Sequence, residues 1–225
     1  MQIAIDGPAG AGKSTIAKKI AAAYNMTYLD TGAMYRCIAH SVLNQIGDHF
    51  DNETDIVNIA RKTEIRFEGN QVFCNNKEVT SEIRTPLVSR HTSDVARIKA
   101  VRDLMVAQQR EYAKDHAVVM DGRDIGSVVL PTAELKFFLD ADVLERAIRR
   151  KKEMDEKGNG KALEEIKNDI ESRDANDKNR SEGPLVQVED AIVIDTTGKS
   201  IEEVYQEMKT HIDEARQLFI KLADF

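Results

Sequence analysis

The most constraining stretch of the sequence is its opening run, Ile3-Ala4-Ile5-Asp6-Gly7-Pro8-Ala9-Gly10-Ala11-Gly12-Lys13-Ser14-Thr15. A short apolar strand leads into Gly-x-x-x-x-Gly-Lys-Ser, and residues 15–24 carry apolar side chains at helical spacing. Glycines between a strand and a helix let successive N–H groups turn inward, and the helix adds the positive end of its dipole. The motif therefore reads as a phosphate cradle. Gly7, Pro8, Ala9, Gly10, Ala11, Gly12, Lys13, Ser14 and Thr15 are expected to wrap a nucleoside triphosphate, with Lys13 on the β- and γ-phosphates and the Ser14 hydroxyl on Mg²⁺. The alternative, a glycine-rich turn that binds nothing, is disfavoured because the motif stands in its required strand-loop-helix context.

The remainder of the chain continues the same order. Met26–Asp30 reads as a second strand and residues 33–46 as a helix, so that strand and helix alternate as in a parallel α/β sheet. A further helix is expected over 53–62. Residues 64–79 then alternate short strand-like runs with the turn pairs Gly69-Asn70 and Asn75-Asn76, which predicts a small antiparallel meander packed on the helices beside it. Helical spacing returns over 81–114 with a break near Arg97 and Ile98. Residues 117–121, 135–140 and 191–195 are strand runs, and the first two end in Asp121 and Asp140 at the edge where parallel sheets collect ligand residues. Helices are expected over 143–156, 161–172 and 200–222.

Composition narrows the partners. Across 225 residues, 41% are apolar and 32% charged, with a net charge of −7, so a large core is available and a polyanionic partner such as nucleic acid or an anionic membrane is disfavoured. No basic leader and no run of membrane length is visible, which predicts a cytoplasmic protein without membrane contact. Cys37 and Cys74 show no metal or disulfide spacing and are expected to be reduced and semi-buried.

Three clusters carry further chemistry. In Asp30-Thr31-Gly32-Ala33-Met34-Tyr35-Arg36, Thr31 can cap the following helix, and a hydroxyl, a ring and a guanidinium within six residues could hold a base and its phosphate; an ordinary N-cap followed by a surface Arg is an equal reading. Asp121-Gly122-Arg123-Asp124 follows a buried strand, where Arg123 can fork onto a phosphate and Asp124 can accept from an exocyclic amine, against the alternative of a salt-bridged turn. Arg146, Arg149 and Arg150 share a helix face, followed by Lys151 and Lys152 and later by Arg173 to Arg180. A solvated face paired to Glu145 and Glu153 suits the two lysines, whereas phosphoryl transfer suits the arginines, with Lys157-Gly158-Asn159-Gly160 as the hinge of a closing lid. A guanine-reading string is lacking, since Asn76-Lys77-Glu78-Val79 ends in Val, which argues against a regulatory GTPase.

Taken together, residues 7–15, 30–36, 121–124 and 173–180 resemble the ordered motifs of bacterial cytidylate kinases, over essentially the whole chain. The resemblance implies a P-loop three-layer α/β/α fold with a central parallel sheet, an inserted meander in the monophosphate-binding domain and a helical lid. It divides a single kinase domain into a core with the phosphate loop (1–36), a monophosphate-binding region (37–100), core (101–145), lid (146–180) and core (181–225). It implies ATP as donor, CMP or dCMP as acceptor, Mg²⁺ as cofactor and a monomer. By position, Thr31, Arg102 and Asp124 resemble the cytosine readers, Arg36, Arg123 and Arg180 the phosphate ligands, and Ser93, Arg173 and Asp177 the sugar contacts, with Tyr35 beside the base; Lys13, Arg123, Arg149 and Arg150 are the expected catalytic cations. Cytosine offers an amine and two acceptors, which suit a carboxylate, a guanidinium and a hydroxyl. Thr31 replaces a more usual Ser, Lys178 stands where Arg is common, and Ala175 and Asn176 are expected in a loop that is often more charged.

Overall fold

A computed structural model describes residues 1–156, 158 and 160–223. In chain order it runs β1 (Gln2–Asp6), α1 (Lys13–Tyr24), β2 (Thr27–Asp30), α2 (Thr31–Ile46), α3 (Glu53–Lys62), β3 (Ile65–Glu68), β4 (Gln71–Cys74), β5 (Lys77–Glu78), a 3-10 turn (Glu82–Arg84), α4 (Pro86–Ala96), α5 (Lys99–Lys114), β6 (Val118–Gly122), a π-helical turn (Ile125–Val129), β7 (Leu135–Asp140), α6 (Val143–Glu156), α7 (Leu163–Asn179), β8 (Ile192–Asp195) and α8 (Ile201–Ala223). The chain divides into two compact units, one of Met1–Leu29, Ala113–Asn179 and Gly183–Phe225, the other of Asp30–Tyr112 and Arg180–Glu182.

The first unit is built on a five-stranded sheet in the order β2-β6-β1-β7-β8. β1 pairs in parallel with β6 and β7, and β7 with β8. β6 and β7 are buried along almost their whole length, as expected of parallel strands covered on both faces. Ile16, Ala17, Ile20 and Ala21 form the buried face of α1 and join Ile3, Ile5, Phe137, Leu139, Met208 and Ile212 in one core. Register decides where function falls: Asp6 lies opposite Gly122 on one side and Phe138 on the other, so the phosphate loop and the Asp121-Gly122-Arg123-Asp124 run leave the sheet at one edge.

The second unit pairs helices with a small sheet in the order β3-β4-β5. Both turn residues between β4 and β5, Asn75 and Asn76, have positive φ (50° and 64°), which suits a tight hairpin. α3 begins at Asn52, whose side chain accepts from Thr54 N and Asp55 N, with Glu53 and Asp55 in its first turn and Arg61 and Lys62 in its last. β4 packs on α2 through Cys74, whose sulfur lies 3.2 Å from Ser41 Oγ.

Three expectations are corrected. Asp30, not Thr31, caps α2: its carboxylate accepts from Ala33 N at 2.8 Å, and Thr31 is the first helical residue. α7 does not stop near Ser172 but runs to Asn179, so that Ala175 and Asn176 are helical; its buried positions Ile166, Ile170, Asp174 and Asp177 stay at helical spacing, and the first strong breakers, Gly183 and Pro184, come later. Cys37 and Cys74 are fully buried free thiols rather than semi-buried ones. The break after Asp124 is a π-helical turn that closes onto Asp124 O through Val129 N at 3.2 Å. Of the expected hinge, Lys157 and Asn159 lie outside the described residues.

Candidate active site

The first unit's site is centred on the phosphate loop. Gly7 leaves β1 at φ +146°, and a Cβ there would fall 2.0 Å from Leu139 O, so only glycine lets the loop pass β7 so closely. Gly12 (φ +87°) precedes α1 without a side-chain cap, which leaves the amides at the helix start pointing into the loop. Lys13 is buried, and its Nζ donates to Pro8 O at 2.7 Å. Burial, followed by the neighbouring Arg123, pulls its ammonium down to about 7. Ser14 Oγ donates to Asp121 Oδ2 at 2.7 Å, while Tyr28 OH donates to Asp121 Oδ1 at 2.7 Å, so Asp121 is held at the sheet edge beside the loop.

Beneath the loop, Asp6 accepts from Ile125 N at 2.8 Å and Gly126 N at 2.7 Å, which fixes the start of the π-helical turn. Burial pushes its carboxyl up to about 6 against those two hydrogen bonds. Asp124, at the head of the same turn, is buried. Arg123 Nε donates to Asp177 Oδ2 at 2.7 Å, a pairing of an expected phosphate ligand with an expected sugar contact.

The arginines of α6 separate once placed. Arg146 is buried and braces the phosphate loop: its Nε donates to Ala141 O at 2.9 Å, and its Nη1 to Ala9 O at 2.9 Å and to Asp174 Oδ2 at 2.5 Å. Asp174 Oδ1 in turn accepts from Ala9 N at 3.1 Å, so the pair holds both polar groups of one loop residue. Arg149 forks onto Thr196, with Nη1 to Oγ1 at 3.0 Å and Nη2 to O at 2.6 Å, and Thr196 Oγ1 reaches Ala11 O at 3.3 Å. Arg150 is exposed and paired to Glu153 at 3.2 Å. A groove of about 380 Å³ between α6 and α7 is lined by Arg146, Glu171, Asp174, Lys178 and Asn179. Arg173 lies on α7 one residue before Asp174.

Within the second unit, the base of α2 gathers Thr31, Tyr35 and Arg36. Arg102 on α5 is buried, its Nη1 donates to Ala96 O at 3.2 Å, and its guanidinium lies over the Tyr35 ring, 5.5 Å from the centroid. Ser93 is half-buried on α4, and Arg180 belongs to the short segment 180–182 of the same unit. Arg36 and Arg84 both donate to Asp30. Burial opposes ionisation of Asp30, but the two guanidiniums and the Ala33 amide outweigh it and hold its carboxyl below the usual range.

Sequence reasoning missed Asp6, Arg84, Asp174 as a loop brace, and Thr196. Strand-terminal Asp6 and Asp30 carried a visible signal, an acid immediately before a phosphate loop or a helix; Thr196 carried none. Among the described residues, no group of three or more His, Cys, Asp or Glu side chains could hold a metal ion, and no helix is long and apolar enough to cross a membrane.

A parallel sheet with a glycine-rich loop wrapped around a buried lysine, and positive charge drawn from two helices, defines a P-loop nucleotide phosphotransferase architecture. The sequence model of the cytidylate kinase family matches residues 3–214, and the chain belongs to that family. The cytidylate kinase of Clostridioides difficile (strain 630) is 49% identical over 94% of this chain and 97% of its own length. That of Alkaliphilus oremlandii (strain OhILAs) is 48% identical over 92% and 94%. Among solved structures, an uncharacterized protein from Eubacterium ventriosum ATCC 27560 aligns over 95% of this chain and 98% of its own with a TM-score of 0.53 and 14% identity, a likeness of fold alone.

Proposed function

We propose that this protein transfers the γ-phosphoryl group of ATP to CMP or dCMP, giving ADP and CDP or dCDP. The observation that carries the reading is the phosphate loop itself: Gly7 and Gly12 turn it at positive φ around a buried Lys13, whose ammonium is weakened by burial first and by the neighbouring Arg123 second. A polyphosphate supplies the negative charge that a buried ammonium needs. The acceptor oxygen of a nucleoside monophosphate is already anionic near neutral pH, so no side chain has to act as nucleophile; alignment and charge neutralisation do the work.

In this reading residues 7–15 hold ATP, and Lys13, Arg123, Arg149 and Arg150 supply the mobile or fixed positive charge on the transferring group. Thr31, Arg102 and Asp124 read the cytosine beside Tyr35, Arg36, Arg123 and Arg180 bind the acceptor phosphate, and Ser93, Arg173 and Asp177 bind the sugar. The Ser14 hydroxyl and Asp121 carboxylate are adjacent hard oxygen donors that suit Mg²⁺, which when bound would neutralise charge between the β- and γ-phosphates. The protein works as a cytoplasmic monomer with no nucleic-acid partner.

A coupled assay of ADP formation from ATP, with CMP, dCMP, UMP and AMP offered in parallel, tests the assignment. Turnover with CMP and dCMP above the others is expected; a preference for AMP or UMP overturns it. In Asp124→Ala the preference for CMP over UMP falls more than ATP binding does, because uracil presents a carbonyl where cytosine presents an amine. Unchanged base selectivity in that variant removes Asp124 from the reading role.

A further inference from the structure

None of the roles above uses Arg84. It closes the 3-10 turn between the small sheet and α4, and its Nη2 donates to Asp30 Oδ2 at 3.1 Å. Arg36 Nη2 reaches the same oxygen at 3.1 Å and Asp30 Oδ1 at 3.1 Å. The other demand on Oδ1 is the Ala33 amide that Asp30 caps. One carboxylate at the head of α2 therefore holds two guanidiniums, and the cluster keeps one surplus positive charge on top of the helix's own.

Three features of this cluster are costly unless an anion joins it. Two cations share one acceptor oxygen of a carboxylate that is only 9% exposed, so the guanidiniums are held close together on a single negative charge. Arg36 Nε is buried and has no hydrogen-bond partner among the described residues, a loss normally avoided. Arg84 is 40% exposed, so a long, flexible side chain is kept in one orientation at the surface. Gly32 is part of the arrangement, since a Cβ there would lie 3.3 Å from both Arg36 Nη1 and Asp30 Oδ1.

We infer that Arg84 is a second cation for the acceptor's phosphate, set beside Arg36 by Asp30, which acts as the positioning residue for both. The inference rests on the reading of this chain as a kinase of CMP. A phosphate dianion supplies several acceptor oxygens, which satisfy Arg36 Nε and the outward N–H groups of Arg84 together and neutralise the surplus charge. Asp30 prevents the two guanidiniums from turning away when the phosphate departs. The bland alternative is a structural pin, in which Arg84 and Asp30 only tie the 3-10 turn to α2.

Calorimetric titration of the full chain with CMP and with cytidine, beside steady-state KM values for CMP and ATP, separates the two. In Arg84→Ala the CMP dissociation constant and KM are expected to rise about tenfold or more, with cytidine affinity and the KM for ATP within about twofold of the parent. Arg84→Lys recovers part of the loss, because it keeps the charge but not the fork. Asp30→Asn, which still caps α2, also raises the KM for CMP selectively. A CMP affinity unchanged in Arg84→Ala, or a cytidine affinity that falls as much as that for CMP, overturns the proposal in favour of the pin. If Arg84→Ala does not fold, Arg84→Gln, which keeps a donor to Asp30 without the charge, is judged on the same criteria. A parent protein that binds no CMP overturns both this inference and the kinase reading, whereas a parent that binds it with the Arg84 variants unaffected overturns the Arg84 assignment alone.

Discussion

Replacing Arg146 by Met removes a buried guanidinium while keeping an apolar side chain of similar length. In the parent, Arg146 and Asp174 have side chains 8% and 10% exposed and meet at 2.5 Å, and the same guanidinium satisfies Ala141 O and Ala9 O. Among the described residues, Met leaves Asp174 with the Ala9 amide alone, so a buried carboxylate loses its cation. Removing one partner of a buried pair costs about 3–5 kcal/mol, and two carbonyls lose their donors besides. The exposed pair Lys151–Asp155, at 2.9 Å on the same helix, provides the control: Lys151→Ala should cost no more than about 0.5 kcal/mol. Urea unfolding of the parent, Arg146→Met, Asp174→Leu and the double variant gives the coupling energy directly. The double variant is expected to recover about 2 kcal/mol or more relative to Arg146→Met, because no uncompensated charge remains. ATP affinity should fall in all three, since the pair holds both the amide and the carbonyl of Ala9. A loss below about 1 kcal/mol in Arg146→Met, or single-variant losses that simply add, refutes the bracing role.

Three further outcomes follow from the same geometry. Lys13, with its ammonium lowered to about 7 by burial and by Arg123, must be charged to hold a polyphosphate, so ATP binding takes up a proton above neutrality and weakens as pH rises through about 7 to 9; titrations at about pH 8 in buffers of different ionisation enthalpy will show the uptake, and none appears if Lys13 is already fully charged. Asp6 has its folded value raised from 3.8 to about 6, so the folded state binds more protons than the unfolded one between those limits, and its contribution to stability falls by about 3 kcal/mol as pH rises across that window and is flat above it; the urea stability of Asp6→Asn should therefore gain on the parent over this range, and parallel pH profiles would contradict the raised value. Gly7→Ala forces a methyl toward Leu139 O at a φ that side chains rarely adopt and should cost about 3 kcal/mol or more, whereas Gly12→Ala meets no atom of the described residues within 4 Å and loses only about 1–2 kcal/mol to backbone strain; equal melting temperatures for the two variants would refute the close approach.

What the sequence made legible was chemistry that is local along the chain. Strands β1, β6 and β7 are apolar runs ending in polar residues, and the phosphate loop carries its glycines, lysine and serine in one stretch, so both could be read without a partner in view. Helical spacing likewise put Arg146, Arg149 and Arg150 on neighbouring positions, but spacing does not say what a face meets. Arg146 turned out to face the loop backbone and Arg149 the Thr196 turn, leaving Arg150 paired only at the surface. Asp174 and Asp177 looked like polar loop residues because buried carboxylates break the apolar stripe by which a helix is recognised, although each is buried against an arginine. The same limit explains Asp6: its partners, the amides of Ile125 and Gly126, lie more than a hundred positions away and are backbone groups that no side-chain pattern announces. The motif therefore names the phosphate loop but does not by itself hold it in shape. Leu139 O crowds Gly7, Arg146 and Asp174 grip Ala9, Thr196 reaches Ala11 and Asp121 orients Ser14, so five separate segments set the geometry of a loop whose own residues supply the binding groups.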